Sequence, residues 1–310
     1  MKNQLVANSY KATDPYFSVI VNCRNSERYL KDCLETIQNQ TFSDFEVVIW
    51  DNMSTDETAK IVNEFEQADH RFLLYSGHHS LNLGEARNCA VKKSSGRYLA
   101  FLDSDDLWDR NFLQQHYLAL NKFGEDSFGT GNVLEISENF NISMMSEYSR
   151  RTCDFTQPKP IFQKLLKGNS IYFSSLVMPR NFFMNEAGFR NDYVQAEDYE
   201  LILRLAKKFS CYKTGLAYYR IHPGNATNNQ EESLYRESIE ILKPYLKWLP
   251  ARLNRLGTIG KYYQFLAPLK PAARKDRIST TGVSIFEIAL AITYNLLFNY
   301  FRACISKGNR

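Results

Sequence analysis

The stretch "YLAFLDSDDLW", residues 98–108, runs from an apolar segment straight into three aspartates, Asp103, Asp105 and Asp106. An uninterrupted apolar run of this length predicts a buried strand. Two carboxylates about 4 Å apart repel by roughly 4 kcal/mol at an effective dielectric near 20, so the cluster needs solvent or a cation. Asp106 can also be read as a cap for a helix expected to start between Leu107 and Phe112. Asp103 and Asp105 come before that helix, where open α/β sheets bind their ligands, beyond the carboxyl ends of the strands.

Upstream, "FSVIVN" (17–22), "FEVVIW" (45–50) and "FLLY" (72–75) have the same buried-strand character. Between them, "ERYLKDCLETIQNQ" places Tyr29, Leu30, Cys33, Leu34 and Ile37 at helical spacing. "STDETAKIVNEFEQ" does the same with Ile61, Val62 and Phe65, behind Ser54 and Asp56 as candidate caps. Strand alternating with helix predicts a mostly parallel, Rossmann-like α/β sheet flanked by helices. The turn after the first strand reads "NCRNSER", and neither G-x-G-x-x-G nor GxxxxGK[ST] occurs, so dinucleotide-binding and P-loop chemistry are excluded. A divalent cation, which prefers oxygen ligands and bridges carboxylates to phosphates, is the remaining way to hold a phosphate group.

Composition agrees with a folded protein. The 310 residues are 44% hydrophobic and 14% aromatic, enough for a full core. Six scattered cysteines without a CxxC pair predict neither a disulfide framework nor a zinc site. The opening "MKNQLVANSYKATDP" has no apolar signal segment, so a cytoplasmic location is expected. The net charge of +4 is unevenly spread, because residues 243–280 carry nine basic residues against Asp276 alone. That local +8 predicts contact with an anionic surface.

The ordered set "FSVIVNCRN", "WDNMSTDET", "LNLGEARNCAVKKSSGRYLAFLDSDDLW" and "AEDYELILRLA" resembles the family 2 glycosyltransferases over residues 16–225. The resemblance implies a GT-A fold and inverting sugar transfer from a nucleotide-diphosphate sugar, with Mn²⁺ or Mg²⁺ as cofactor. It implies that Asp51 binds the nucleotide base, that Asn22, Arg24, Asn25, Arg87, Asn88, Asp103, Ser104, Glu197 and Arg220 contact the donor, and that Asp105, Asp103 and His222 hold the metal. His222, beside a Pro turn, is equally read as an ordinary loop residue. Asp198, in the first turn of an expected helix, matches the family's catalytic base. The resemblance implies a UDP-sugar donor; the family's P-x-Y-N is replaced here by Asn22-Cys23-Arg24-Asn25, which leaves a dTDP-sugar as the alternative. Trp108 is read either as acceptor pocket or as packing. His70, His78, His79 and His116 are expected on the surface or in loops.

The expected organisation is a tail at 1–15, a GT-A catalytic domain at 16–225 and a basic, amphipathic helical extension at 226–310. Within the extension, "VSIFEIALAITYNLLFNYF" (283–301) is either an interfacial helix on an anionic membrane or a soluble packing helix. The former would suit a lipid-linked glycan acceptor and peripheral attachment to the inner face of the cell membrane. Nucleic acid is not an expected partner. Two other readings are a sugar-phosphate nucleotidyltransferase, which usually has a Gly-rich loop after the first strand, and a non-catalytic sugar-nucleotide-binding scaffold.

Overall fold

The four expected strands form as β1 (Phe17–Cys23), β2 (Phe45–Asp51), β3 (Phe72–Ser76) and β4 (Tyr98–Asp103). They pair in parallel in the order β3-β2-β1-β4. The crossovers carry α1 (Leu30–Gln38), α2 (Thr58–Ala68) and α3 (Leu83–Lys93). The computed structural model describes residues 14–145, 156–166, 168–225, 231–242 and 244–245.

The apolar spacing of the crossovers does the packing expected of it. Leu30, Cys33, Leu34 and Ile37 of α1 join Val19 and Val21 of β1 and Val47 and Ile49 of β2 in one buried cluster. Each such side chain contributes about 1.5–3 kcal/mol by leaving water. α3 starts with a capping box: Asn82 Oδ1 accepts the Glu85 N–H at 2.8 Å, and Glu85 accepts the Asn82 N–H at 3.3 Å.

After β4 the expected helix starts at the far end of its range, as α4 (Phe112–Phe123), and Leu107–Trp108 before it form a short strand, β5. The rest comprises β6 (Ser127–Ser137), β7 (Thr156–Lys159), α5 (Phe162–Leu165), β8 (Val177–Pro179), α6 (Arg180–Asn185), α7 (Glu197–Lys208), β9 (Ser210–Ile221) and α8 (Glu231–Leu242). β8 pairs antiparallel with β4 and with β6, β6 pairs parallel with β9, and β9 takes β5 and β7 antiparallel. The sheet is therefore parallel on the β1 side and mixed on the other.

The chain divides into one compact unit of residues 1–161 with 170–229 and a second of 162–169 with 230–310. The second unit thus takes in a short segment that the sequence reading gave to the catalytic domain. Within it Phe162 of α5 meets Tyr245 edge-on at 5.5 Å, and Ile241 and Leu242 of α8 are buried. The basic residues of 243–280 and the apolar segment 283–301 lie outside the described residues. Among the described residues no helix is long and apolar enough to cross a membrane.

His116 is not on the surface as expected. It lies on the core face of α4 with Leu113, Ala119 and Leu120, 0% exposed, its Nδ1 3.2 Å from the Tyr212 hydroxyl. Burial pushes its pKa down from 6.5 to about 3. The unfolded chain therefore binds a proton that the folded one refuses between those values. Stability from this group is full above about pH 6.5 and falls by roughly 1.4 kcal/mol per pH unit on the way down. Comparing urea unfolding of wild type and His116→Gln at pH 7 and pH 5 should show the variant losing less stability on acidification; equal losses would contradict the buried neutral imidazole.

Candidate active site

The chain winds from β1 out to β3 and then returns to the other side of β1 as β4. At that reversal, ligands enter beyond the strands' carboxyl ends. Register puts Cys23 opposite Asp51 and Asn22 opposite Asp103, so the expected donor residues share one rim.

The turns after β1 and β2 are tied to each other. Asp51 accepts the Ser54 N–H at 3.0 Å and its hydroxyl at 2.5 Å. Asn25 adopts φ 50, accepts the Thr55 N–H at 2.8 Å, and donates its own N–H to Ser54 Oγ at 2.9 Å. Ser104 Oγ lies 2.9 Å from Ser26 Oγ, and Arg24 is exposed. Asn22 Nδ2 is buried and has no hydrogen-bond partner among the described residues. Met53 adopts φ 65, a left-handed conformation that costs a side-chain-bearing residue about 1–2 kcal/mol. Met53→Gly should therefore raise stability by about 0.5–1 kcal/mol after the entropy of glycine is subtracted, a gain visible in a thermal melt.

Across the rim the two acid motifs meet on one cation. Arg87, on the buried side of α3 and 3% exposed, donates to Asp103 Oδ1 from Nη2 and to Glu197 Oε1 from Nη1, both at 2.7 Å. The Phe173 ring lies 3.8 Å from its guanidinium carbon. Burial pushes the Glu197 carboxyl up to about 7 despite Arg87, with Asp198 adding to the rise. Burial also raises the Asp198 carboxyl, opposed by Arg87 and by the Tyr199 N–H, which donates to Asp198 Oδ1 at 2.6 Å. Arg87 was expected at the donor phosphates, but it is enclosed between carboxylates. The Asn88 amide is likewise engaged, donating to the Phe189 carbonyl at 2.8 Å and accepting the Phe189 N–H at 2.9 Å.

The third aspartate has a different task. Asp106 caps no helix: its Oδ1 accepts the Arg220 N–H at 2.8 Å and its Oδ2 the Ser174 hydroxyl. Arg220 was expected beside the diphosphate, but it is 1% exposed and its donors are used internally. It bonds the carbonyls of Asp105 and Glu138 at 3.0 Å each and Asp32 Oδ2 at 3.1 Å, with the Tyr29 ring 4.8 Å away. Its role is to brace the aspartate turn against β9. Trp108 packs: it is buried, stacks on Phe112 at 4.3 Å and donates Nε1–H to the Ser174 carbonyl at 2.6 Å. No local pattern marks Ser174, Phe173, Tyr29 or Asp32 as site residues; only the tertiary register brings them here. Arg220→Met leaves buried carbonyls unpaired and should cost about 2–4 kcal/mol in denaturant unfolding. Arg220→Lys, lacking the planar fork, should recover little of it.

His222 and Asp105 do come together, with Nε2 and Oδ2 2.9 Å apart and the imidazole 4.7 Å from the Tyr29 ring. Burial and then Asp103 raise the Asp105 carboxyl, while His222 opposes the rise. That separation is a hydrogen bond, and the two side chains, a carboxylate and an imidazole, are of the kinds that ligate divalent cations. Asp103 does not complete a cage with them, since no cluster of three His, Cys, Asp or Glu among the described residues could hold a metal. The donor set suits an ion that takes one or two protein ligands and draws the rest from water and phosphate oxygens.

Comparison with known proteins decides the family. The signature of glycosyl transferase family 2 matches residues 18–187. The chain belongs to that family. This family 2 glycosyltransferase is 30% identical over 227 residues to the UDP-Glc:alpha-D-GlcNAc-diphosphoundecaprenol beta-1,3-glucosyltransferase WfaP of Escherichia coli, covering 71% of this chain and 83% of WfaP. It is 31% identical over 229 residues to WfgD of Escherichia coli, which has the same described activity, covering 72% of this chain and 84% of WfgD. Among solved structures, residues 1–349 of S. aureus TarS in complex with UDP align with a TM-score of 0.57 at 18% identity, covering 87% of this chain and 76% of that one. The glycosyltransferase therefore has the expected GT-A fold.

Proposed function

We propose that the enzyme transfers a sugar, with inversion, from a UDP-sugar to a glycan carried on a polyprenyl diphosphate, using a divalent metal. The observation that carries this reading is the Arg87 clamp, which links Asp103 at the end of β4 to Glu197 at the start of α7. Donor acids and base motif, far apart in sequence, thereby meet on one cation. The WfaP and WfgD similarities support the choice of donor nucleotide and acceptor class.

Each residue then has a physical task. Asp51 and the Asn25–Ser54–Thr55 ties form the seat for the base, and the orphaned Asn22 Nδ2 offers a donor to the bound nucleotide. Asp105 and His222 would hold Mn²⁺ or Mg²⁺, which when bound neutralises the diphosphate leaving group. Asp198 is the base. Burial raises its proton affinity, and the Tyr199 N–H fixes its carboxylate. The acceptor hydroxyl oxygen bonds to the anomeric carbon while its proton passes to Asp198. The bond from that carbon to the phosphate oxygen breaks on the opposite face, its electron pair leaving with the nucleoside diphosphate. Such base assistance is worth about 10²–10⁴ in rate. Arg87 keeps Glu197 paired, and so stops a second charge from competing for the same proton.

The test is transfer of radiolabelled sugar from a UDP-sugar panel to a synthetic GlcNAc-diphospholipid with Mn²⁺ present. One donor should support turnover, EDTA should abolish it, and Asp198→Asn should lose at least about 10²-fold in kcat. UDP affinity should stay within twofold in that variant. Metal-independent turnover would remove the role given to Asp105 and His222, and surviving turnover with weakened donor affinity would remove that of Asp198.

A further inference from the structure

Beyond the turn that carries the aspartates, β6 and β9 continue. Ala100, Val177 and Gly129 stand in one row across β4, β8 and β6, and β4 and β6 point the same way because each is antiparallel to β8. Asp103 is three residues past that row and Glu135 six, so at about 3.3 Å per residue β6 rises roughly 10 Å above the level of Asp103. β9 rises with it, Glu135, Ile136 and Ser137 matching Tyr219, Arg220 and Ile221. Ile136 and Arg220 turn inward and are buried. Strand alternation leaves Glu135, Ser137, Tyr219 and Ile221 on the opposite face.

That face has the chemistry of a binding surface. The Tyr172 hydroxyl donates to Glu135 Oε1 at 2.8 Å, and its ring lies 5.1 Å from that of Tyr219. Tyr172 is 39% exposed and Ile221 46%. Next to them opens a cavity of about 660 Å³ lined by residues 135–138 and 221–223.

We infer that this wall is the acceptor subsite and that it binds an uncharged pyranose ring. The inference rests on the transferase reading above and adds the class of ligand held on its acceptor side. Position supports it. His222 lines the cavity and also bonds Asp105, so the wall abuts the donor acids. Asp51 ends β2, four strands from β6 and on the other flank of β4, roughly 19 Å off at ordinary strand spacing, so the nucleotide seat and the wall do not compete. Phe173, next to Tyr172, lies against Arg87 and so joins the wall to Glu197 and Asp198. Chemistry supports it too. Glu138 is already paired with Arg28 at 3.1 Å, whereas the Glu135 carboxylate accepts hydrogen bonds from sugar hydroxyls and aromatic rings pack against the apolar face of a pyranose. A largely apolar hollow with a few convergent polar groups is the usual form of a small-ligand site.

Saturation-transfer NMR on the full chain with Mn²⁺ and UDP tests the inference, using methyl glycosides of glucose, galactose and N-acetylglucosamine as probes. UDP binding is titrated by calorimetry on the same samples. At least one glycoside should bind, Tyr172→Ala and Glu135→Gln should each weaken it at least tenfold, and UDP affinity should stay within twofold. Tyr172→Phe, which keeps the ring but drops the bond to Glu135, should fall between. If no glycoside binds, or the variants bind it as tightly as wild type, the wall is not the acceptor subsite. Failure of the wild type to bind UDP would instead overturn the transferase reading, so the two failures are distinguishable.

Discussion

The site depends on one buried guanidinium. Taking the Arg87 guanidinium and the Glu197 carboxylate out of water costs several kcal/mol per ion, and the arrangement persists because Arg87 meets Glu197 and the half-buried Asp103 at 2.7 Å each. Phe173 lies beneath it, so the cation cannot relax toward solvent without giving up an aromatic contact. The strand that ends in the aspartates and the helix that starts with Glu197 are thereby held at a separation set by the width of a guanidinium. Removing Arg87 would leave the buried Glu197 carboxylate without its cation.

The three aspartates after β4 show how neighbouring identical residues acquire different work. Asp106 is satisfied by a backbone N–H and a serine hydroxyl and holds the turn to β9. Asp103 is paired with a permanent cation. Asp105 faces an imidazole, a partner whose nitrogen can ligate a metal. The sequence spells the same side chain three times; the partner determines the function.

Much of the parallel half was legible because strands buried on both faces read as unbroken apolar runs, as in Val19–Val21 and Val47–Trp50. The Glu197 helix was legible for a similar reason, since Leu201, Ile202 and Leu205 recur at helical spacing. The mixed half was not. β6 reads "SFGTGNVLEIS", with two glycines and little alternation, and β5 has only two residues. His116 was misread because a polar residue type was given more weight than its i+3 and i+4 spacing from Leu113 and Leu120. Within the site, residue types were readable and partners were not. Arg220 and Asp32 are 188 positions apart, and nothing local in either segment announces the pairing.

The loop between α6 and α7 is braced from two helices. Asn88 of α3 pairs with both backbone groups of Phe189, and Arg204 of α7 reaches the carbonyls of Glu186 and Gly188. Gly188 adopts φ 66, and a side chain there would run into Asn88. Arg87, with Phe189 packed near it, therefore rests on a segment whose conformational entropy is spent when the chain folds. Substrate arriving at this half of the cleft has little ordering left to do, so more of its contact energy is available to hold it in register for reaction.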